Sequence, residues 1–172
     1  MRKFILGFVT AVVLLPIAAF AFVRLGLVDP RADIPVNGLE RRVAMPSLDA
    51  SVARRATAMP GLDDSSDVTL AAGMKVYEEN CALCHGDALH PNAALAEALY
   101  PRAPQFARDA PDMPPHENLY IIRHGIRMSG MPAWGKVLSE TQQRQVTAFL
   151  AHMDHLPPAI ADRWKTGADR PQ

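Results

Sequence analysis

Three regimes of apolar and polar spacing follow one another along the chain. The first is a nearly unbroken apolar run over residues 4–23, interrupted only by Gly7, Thr10 and Pro16 and led by Met1-Arg2-Lys3. About 20 residues at helical rise cross a bilayer core of roughly 30 Å, so the run predicts a membrane-spanning helix. Arg2 and Lys3 on the short leading side hold that end in the cytoplasm and send everything after Arg24 outward. The alternative is a cleaved secretory signal, because Ala19-Phe20-Ala21 has the small-x-small form of a cleavage site. Apolar character resumes beyond it at Phe22-Val23 and Leu25-Gly26-Leu27-Val28, which favours a retained anchor over residues 1–28.

The second regime, residues 29–66, has little from which to build a core. It carries Pro30, Pro35, Pro46 and Pro60, the pairs Arg41-Arg42 and Arg54-Arg55, and the turn cluster Asp63-Asp64-Ser65-Ser66, and it reads as a linker. One piece has helical spacing: Leu48, Val52, Ala53 and Ala56 recur with Arg54 and Arg55 on the other side, as in a helix lying across a neighbouring domain. A disordered tether is the alternative.

The third regime, residues 67–157, has the periodicity of a small helical domain. Asp67 or Thr69 can cap a helix running to about Asn80, with Gly73 and Tyr77 on one face as a notch beside an aromatic. Ser139-Glu140-Thr141-Gln142 matches a capping box, and Val146, Phe149, Leu150 and Met153 follow at i, i+3, i+4 and i+7 before Pro157-Pro158 ends the pattern. Phe149 or Val146 packing into the Gly73/Tyr77 face is the expected contact. Between these helices the sequence predicts a short Ala-rich helix over residues 92–99, a Pro-rich loop over 101–115, and a helix over 117–124. Leu119, Ile122 and Ile126 mark the buried face of that last helix, and Gly125 stops it. No strand is required, so the fold class is all-α. Residues 158–172 read as a flexible tail, with Trp164 either exposed or docked on the domain.

Charge narrows the function classes. Eighteen basic against 18 acidic residues leave no electrostatic footprint for nucleic acid and no strong long-range steering of partners. The chemistry is concentrated in Cys81-Ala82-Leu83-Cys84-His85, which contains both cysteines of the chain. A CxxCH run is the attachment pattern of c-type haem. Two thiols add across the two vinyl groups of one porphyrin, and the histidine directly after the second falls beneath the iron as proximal ligand. A disulfide, a thioredoxin-like redox pair and half of a zinc site are the alternatives; a structural zinc usually takes four protein ligands, and no second Cys pair exists to complete it. Export of the Cys pair suits haem c, whose attachment occurs on the outer side of the bacterial inner membrane.

An electron-transfer haem generally fills its sixth iron position with a side chain, and a neutral thioether favours reduced iron. Met113, Met128, Met131 and Met153 lie downstream. Met153 falls on the apolar face of the last helix and is better explained as core, while Met131 sits between Gly130, which permits close backbone approach, and Pro132, which holds an extended loop. Met131 is the preferred ligand; Met128, Met113, His90 and an open position remain the alternatives.

The motifs Cys81-Ala82-Leu83-Cys84-His85-Gly86, Ala103-Pro104-Gln105-Phe106, His124-Gly125-Ile126-Arg127-Met128-Ser129-Gly130-Met131-Pro132-Ala133-Trp134-Gly135 and Thr147-Ala148-Phe149-Leu150 resemble the class I c-type cytochromes, in particular membrane-anchored monohaem cytochromes c of proteobacteria. The resemblance covers roughly residues 69–157. It implies one covalent haem c between His85 and Met131, packed in the class I cytochrome c fold and preceded by a single transmembrane helix. It also implies a proline carbonyl accepting the proximal imidazole N–H, for which Pro104 fits best and Pro101 is the fallback. One departure is Asp87-Ala88-Leu89-His90-Pro91, which replaces the Gly-rich stretch of many members and leaves the path of that loop open. Trp134 is expected against the porphyrin, on a propionate or in plain core packing, and Arg123 and Arg127 either near propionates or on a solvated face.

The expected function is one-electron transfer without bond-making catalysis, between a dehydrogenase, a cytochrome complex or a terminal oxidase, from a single-pass position in the bacterial inner membrane with the haem domain in the periplasm. A soluble periplasmic form after signal cleavage is the alternative location. A haem enzyme or gas sensor with an open iron site, or a fixed subunit of a larger dehydrogenase or oxidase, are the alternative functions.

Overall fold

The computed structural model describes residues 1–167, and its chain divides into two compact units, residues 1–31 and the remainder. In the first, helix α1 (Arg2–Arg24) presents exposed apolar side chains along its length. Its length and apolarity suit a bilayer span or a signal segment. Pro16 lies inside the helix without ending it, and Thr10 Oγ donates back to the Leu6 carbonyl at 2.8 Å.

The second unit is all-helical, with no strand among the described residues. Helix α2 (Gly38–Arg55) begins where Asn37 accepts the Glu40 backbone N–H at 2.8 Å, and it runs straight through Pro46. The stretch read as linker is therefore helical well beyond the short segment that its spacing predicts. Long-range contacts account for this: Val52 is 3% exposed, and Glu40 accepts a hydrogen bond from the hydroxyl of Tyr100. Such contacts offset the loss of the Pro46 N–H from the helical ladder.

Helix α3 (Asp67–Asn80) is capped by Ser66, one residue before the expected cap; its side chain accepts the Thr69 N–H, and Asp64 accepts both the Ser66 N–H and the Thr69 hydroxyl. A single helical turn, α4 (Ala82–His85), follows. The Ala-rich segment forms only a 3-10 helix, Ala94–Ala98, too short to sustain i to i+4 bonding. Helix α5 (Pro115–His124) starts two residues before the expected Glu117, because Pro115 suits the first helical position, and it stops at Gly125 (φ 65°) as its sequence suggests.

Helix α6 (Glu140–His152) opens on the complete capping box: Ser139 accepts the Gln142 N–H at 3.3 Å, and Gln142 Oε1 accepts the Ser139 N–H at 2.9 Å. α6 packs on α3 more extensively than any other pair of elements pack. At the crossing, a Cβ added to Gly73 would lie 2.1 Å from the Gln145 carbonyl oxygen and 2.8 Å from Phe149 Cβ, and the rings of Tyr77 and Phe149 sit 5.6 Å apart. Gly73 is thus required by contact, not by backbone conformation. Gly73→Ala is expected to spread the two helices and destabilise the domain by about 2 kcal/mol, near the middle of the range for overpacking; a chemical-denaturation midpoint equal to that of the parent would contradict the crossing.

The flexible-tail reading of residues 158–172 needs correction over its described part. Pro158–Thr166 forms a further helix, α7, with Ile160 1% and Trp164 8% exposed. Trp164 meets Tyr77 edge-on at 5.7 Å and Phe149 at 5.4 Å, so three aromatic rings share one cluster. The i, i+4 pairing of Ile160 with Trp164 gives α7 an apolar stripe to bury, and Gly167 in the left-handed region ends the helix. Residues 168–172 of that tail lie outside the described residues.

Candidate functional site

The end of α3 delivers the cysteine pair. Cys81 N–H closes α3 on the Tyr77 carbonyl (2.8 Å), and the Cys81 carbonyl then accepts from Cys84 N (3.1 Å) and His85 N (2.9 Å). This turn places both cysteines, three residues apart, on one side. Both are unpaired and half-buried, while Leu83 between them is exposed. Burial and the neighbouring Cys84 push the Cys81 thiol up to about 12. Tyr77 fixes the exit of the turn, its hydroxyl donating to the Gly86 carbonyl at 2.7 Å.

The path after Gly86, left open by the sequence, is a closed acidic turn. Asp87 Oδ1 accepts from Leu89 N (2.8 Å) and His90 N (2.7 Å), and Asp87 N donates to the His90 carbonyl at 3.0 Å. A short polar side chain that binds its own backbone does here what glycines do by conformational freedom.

His85 is held from three directions. Its Nδ1 lies 2.9 Å from the Pro104 carbonyl oxygen, its ring stacks on Phe106 (centroids 4.4 Å, planes within 2°), and its carbonyl accepts from Phe106 N at 3.0 Å. A carbonyl oxygen can only accept, so the ring proton resides on Nδ1 and the Nε2 lone pair is free to bind a metal. Burial lowers the His85 pKa against the opposing pull of the Pro104 hydrogen bond, which keeps the imidazole neutral at neutral pH. Sequence reasoning overlooked Gln105. Its Nε2 donates to the Cys84 (3.0 Å) and Ala103 (2.9 Å) carbonyls, and its Oε1 accepts from Ala93 N at 2.6 Å. The side chain thereby ties the cysteine turn to the proline loop; only its position beside Pro104 hinted at the role.

The methionines separate by environment. Met131 is half-buried against the core, in a loop closed by Ile126 N to Met131 O (3.1 Å), Ser129 Oγ to Ile126 O (2.8 Å) and Met131 N to Ser129 Oγ (3.1 Å). Gly125 makes that closure feasible, since a Cβ there would lie 2.7 Å from the Met131 carbonyl oxygen. Met128 points into solvent, 90% exposed with φ 60°. Met153 is packed in the core at 8% exposure. Met113 is half-buried, its carbonyl accepting from Asn118 Nδ2 at 3.1 Å. The close neighbour of Gly130 is the side chain of Leu99, 2.7 Å from where a Cβ would stand.

Trp134 is half-buried against the core, on a 3-10 turn, Trp134–Lys136, whose Gly135 abuts the Arg123 carbonyl. Arg123 Nε donates to Gln143 Oε1 at 3.0 Å, and Arg127 is exposed.

Among the described residues no three His, Cys, Asp or Glu side chains converge as a metal-holding group. Two free thiols on one helical turn, an adjoining imidazole with an available Nε2 and a half-buried thioether in a shaped loop are a donor set that fits a covalent porphyrin. Residues 68–150 match the family model described as cytochrome C oxidase, cbb3-type, subunit III. No curated protein and no solved structure matches the chain.

Proposed function

The chain carries a class I c-type cytochrome domain over residues 68–150, and on that footing we propose that it is a one-electron carrier with a single haem c, bound through Cys81 and Cys84 and ligated by His85 and Met131. When bound, haem c supplies a one-electron couple between ferric and ferrous iron. The observation that carries the proposal is the 2.9 Å contact of His85 Nδ1 with Pro104, which engages Nδ1 and leaves Nε2 as the nitrogen available for ligation. Met131 supplies the thioether: Met128 faces solvent, Met153 fills the core, and Met131 is set apart from the half-buried Met113 by its packing against the core. Phe106 stacks on the His85 ring, Trp134 packs against the adjoining core, and Gln105 holds the proline loop against the cysteine turn. With His85 and Met131 both committed to the iron, small ligands would be excluded and the protein would move electrons without making bonds.

The anchor reading of α1 puts this domain on the periplasmic face of the inner membrane, facing redox proteins of the membrane or periplasm. The test is carbon monoxide. The reduced full-length protein is expected to bind it slowly and incompletely; fast, complete binding would mean an open sixth position and a sensor or enzyme instead. The family description favours a second reading, in which the chain is a fixed electron-transfer subunit of a membrane oxidase. Co-purification of oxidase subunits after mild detergent extraction would support that reading, and isolation as a lone haem protein would support the free carrier.

A further inference from the structure

The end of α6 carries two imidazoles outside the haem site. His152 is its last residue, and His155 follows in the turn toward α7, its backbone N–H donating to the His152 carbonyl at 2.9 Å. The two ring centroids lie 5.2 Å apart. With nitrogen–zinc distances of about 2.1 Å, two imidazoles on one tetrahedral ion have ring centres roughly 5 Å apart.

In both rings Nδ1 is already engaged by an oxygen. His152 Nδ1 lies 2.9 Å from the Ala148 carbonyl oxygen, and His155 Nδ1 is paired with the Asp154 carboxylate. Carbonyl and carboxylate oxygens accept only, so Nδ1 is the donor in each ring and Nε2 is the nitrogen left to bind an ion when the ring is neutral. A carbonyl or carboxylate behind the distal nitrogen is the arrangement that orients metal-binding histidines. His155 is 63% exposed and His152 half-buried, so an ion can reach both from solvent. The local field favours a cation: Asp154 adjoins the pair, Asp64 interacts electrostatically with His152, and the carbonyl end of α6 is negative.

We propose that His152 and His155 form a binding site for a divalent transition-metal ion of the zinc or copper class, with Asp154 as a positioning residue. No third His, Cys, Asp or Glu ligand joins them among the described residues, so water completes the shell. A bound ion would tie the end of α6 to the turn leading into α7, and so would stabilise the docked position of Trp164.

The test is titration of the full-length, untagged haem-loaded protein in detergent with zinc chloride, by calorimetry and by thermal melting. Wild type is expected to bind one zinc ion saturably and to melt at a higher temperature with zinc present. His155→Asn and His152→Asn are each expected to weaken binding by about tenfold or more and to abolish the zinc-dependent rise in melting temperature. His116→Asn, on α5, serves as the control and should bind as wild type does. No saturable binding by wild type, or unchanged affinity in either variant, overturns the site. Should His152→Asn not fold, the exposed His155→Asn decides alone. An unchanged haem absorption spectrum throughout the titration separates this site from the haem ligands.

Discussion

Cys81→Ala combined with Cys84→Ala is expected to abolish covalently pigmented protein and to lower the melting temperature of what remains by about 10 °C or more. Both residues stand on the one-turn helix α4 and its cap, in a turn whose Gly86 carbonyl is held by Tyr77 and whose Cys84 carbonyl is held by Gln105. Removing the thiols leaves that geometry intact but deletes the bonds to the porphyrin. The loss is large because a domain of this size buries a small core and depends on a prosthetic group for further apolar surface. At roughly 4–8 °C per kcal/mol for a domain of this length, the expected shift amounts to about 2 kcal/mol. Differential scanning calorimetry of the double variant beside the parent gives the number. An unshifted melt with a normal yield of haem-loaded protein would refute attachment through these residues.

Met131→Ala is expected to open the sixth iron position. The potential should fall on the order of 100 mV, a modest part of the ~0.8 V range that axial ligands command, and carbon monoxide binding to the reduced protein should become fast. Met128→Ala is the matched control, since its side chain is 90% exposed only three residues away and its removal should leave both spectrum and potential unchanged. Redox titration of the two variants in parallel decides between them. A potential that moves in Met128→Ala and not in Met131→Ala would exchange their roles.

The features legible in the sequence are those encoded over a few neighbouring residues. The capping box at Ser139 and Gln142, the stop at Gly125 and the faces that carry Gly73 with Tyr77 and Val146 with Phe149 all follow from i to i+3 or i+4 spacing and from the one residue that lacks a Cβ. Pro104 beside His85 was legible only through resemblance, because 19 residues separate them and no periodicity links a loop carbonyl to a ring nitrogen. α2 and α7 were under-read for the same reason in reverse. Pro46 and Pro157-Pro158 are local breaking signals, whereas the contacts that outweigh them come from far along the chain: Tyr100 on Glu40, and Tyr77 with Phe149 on Trp164. Arg123 illustrates the limit for side chains. Its charge suggested a propionate or open solvent, yet its partner is the amide of Gln143 on the adjacent helix α6. Gln105 carries no charge and no reactive atom, so nothing in its type announced that it would bridge three backbone groups.

The central claim is a porphyrin bonded to Cys81 and Cys84, and acid-acetone extraction of the purified full-length protein followed by a pyridine haemochrome spectrum tests it most directly. Pigment that stays with the polypeptide, with a haem c spectrum at one haem per chain, is the expected result. A colourless protein, or pigment that passes into the acetone phase, would contradict it.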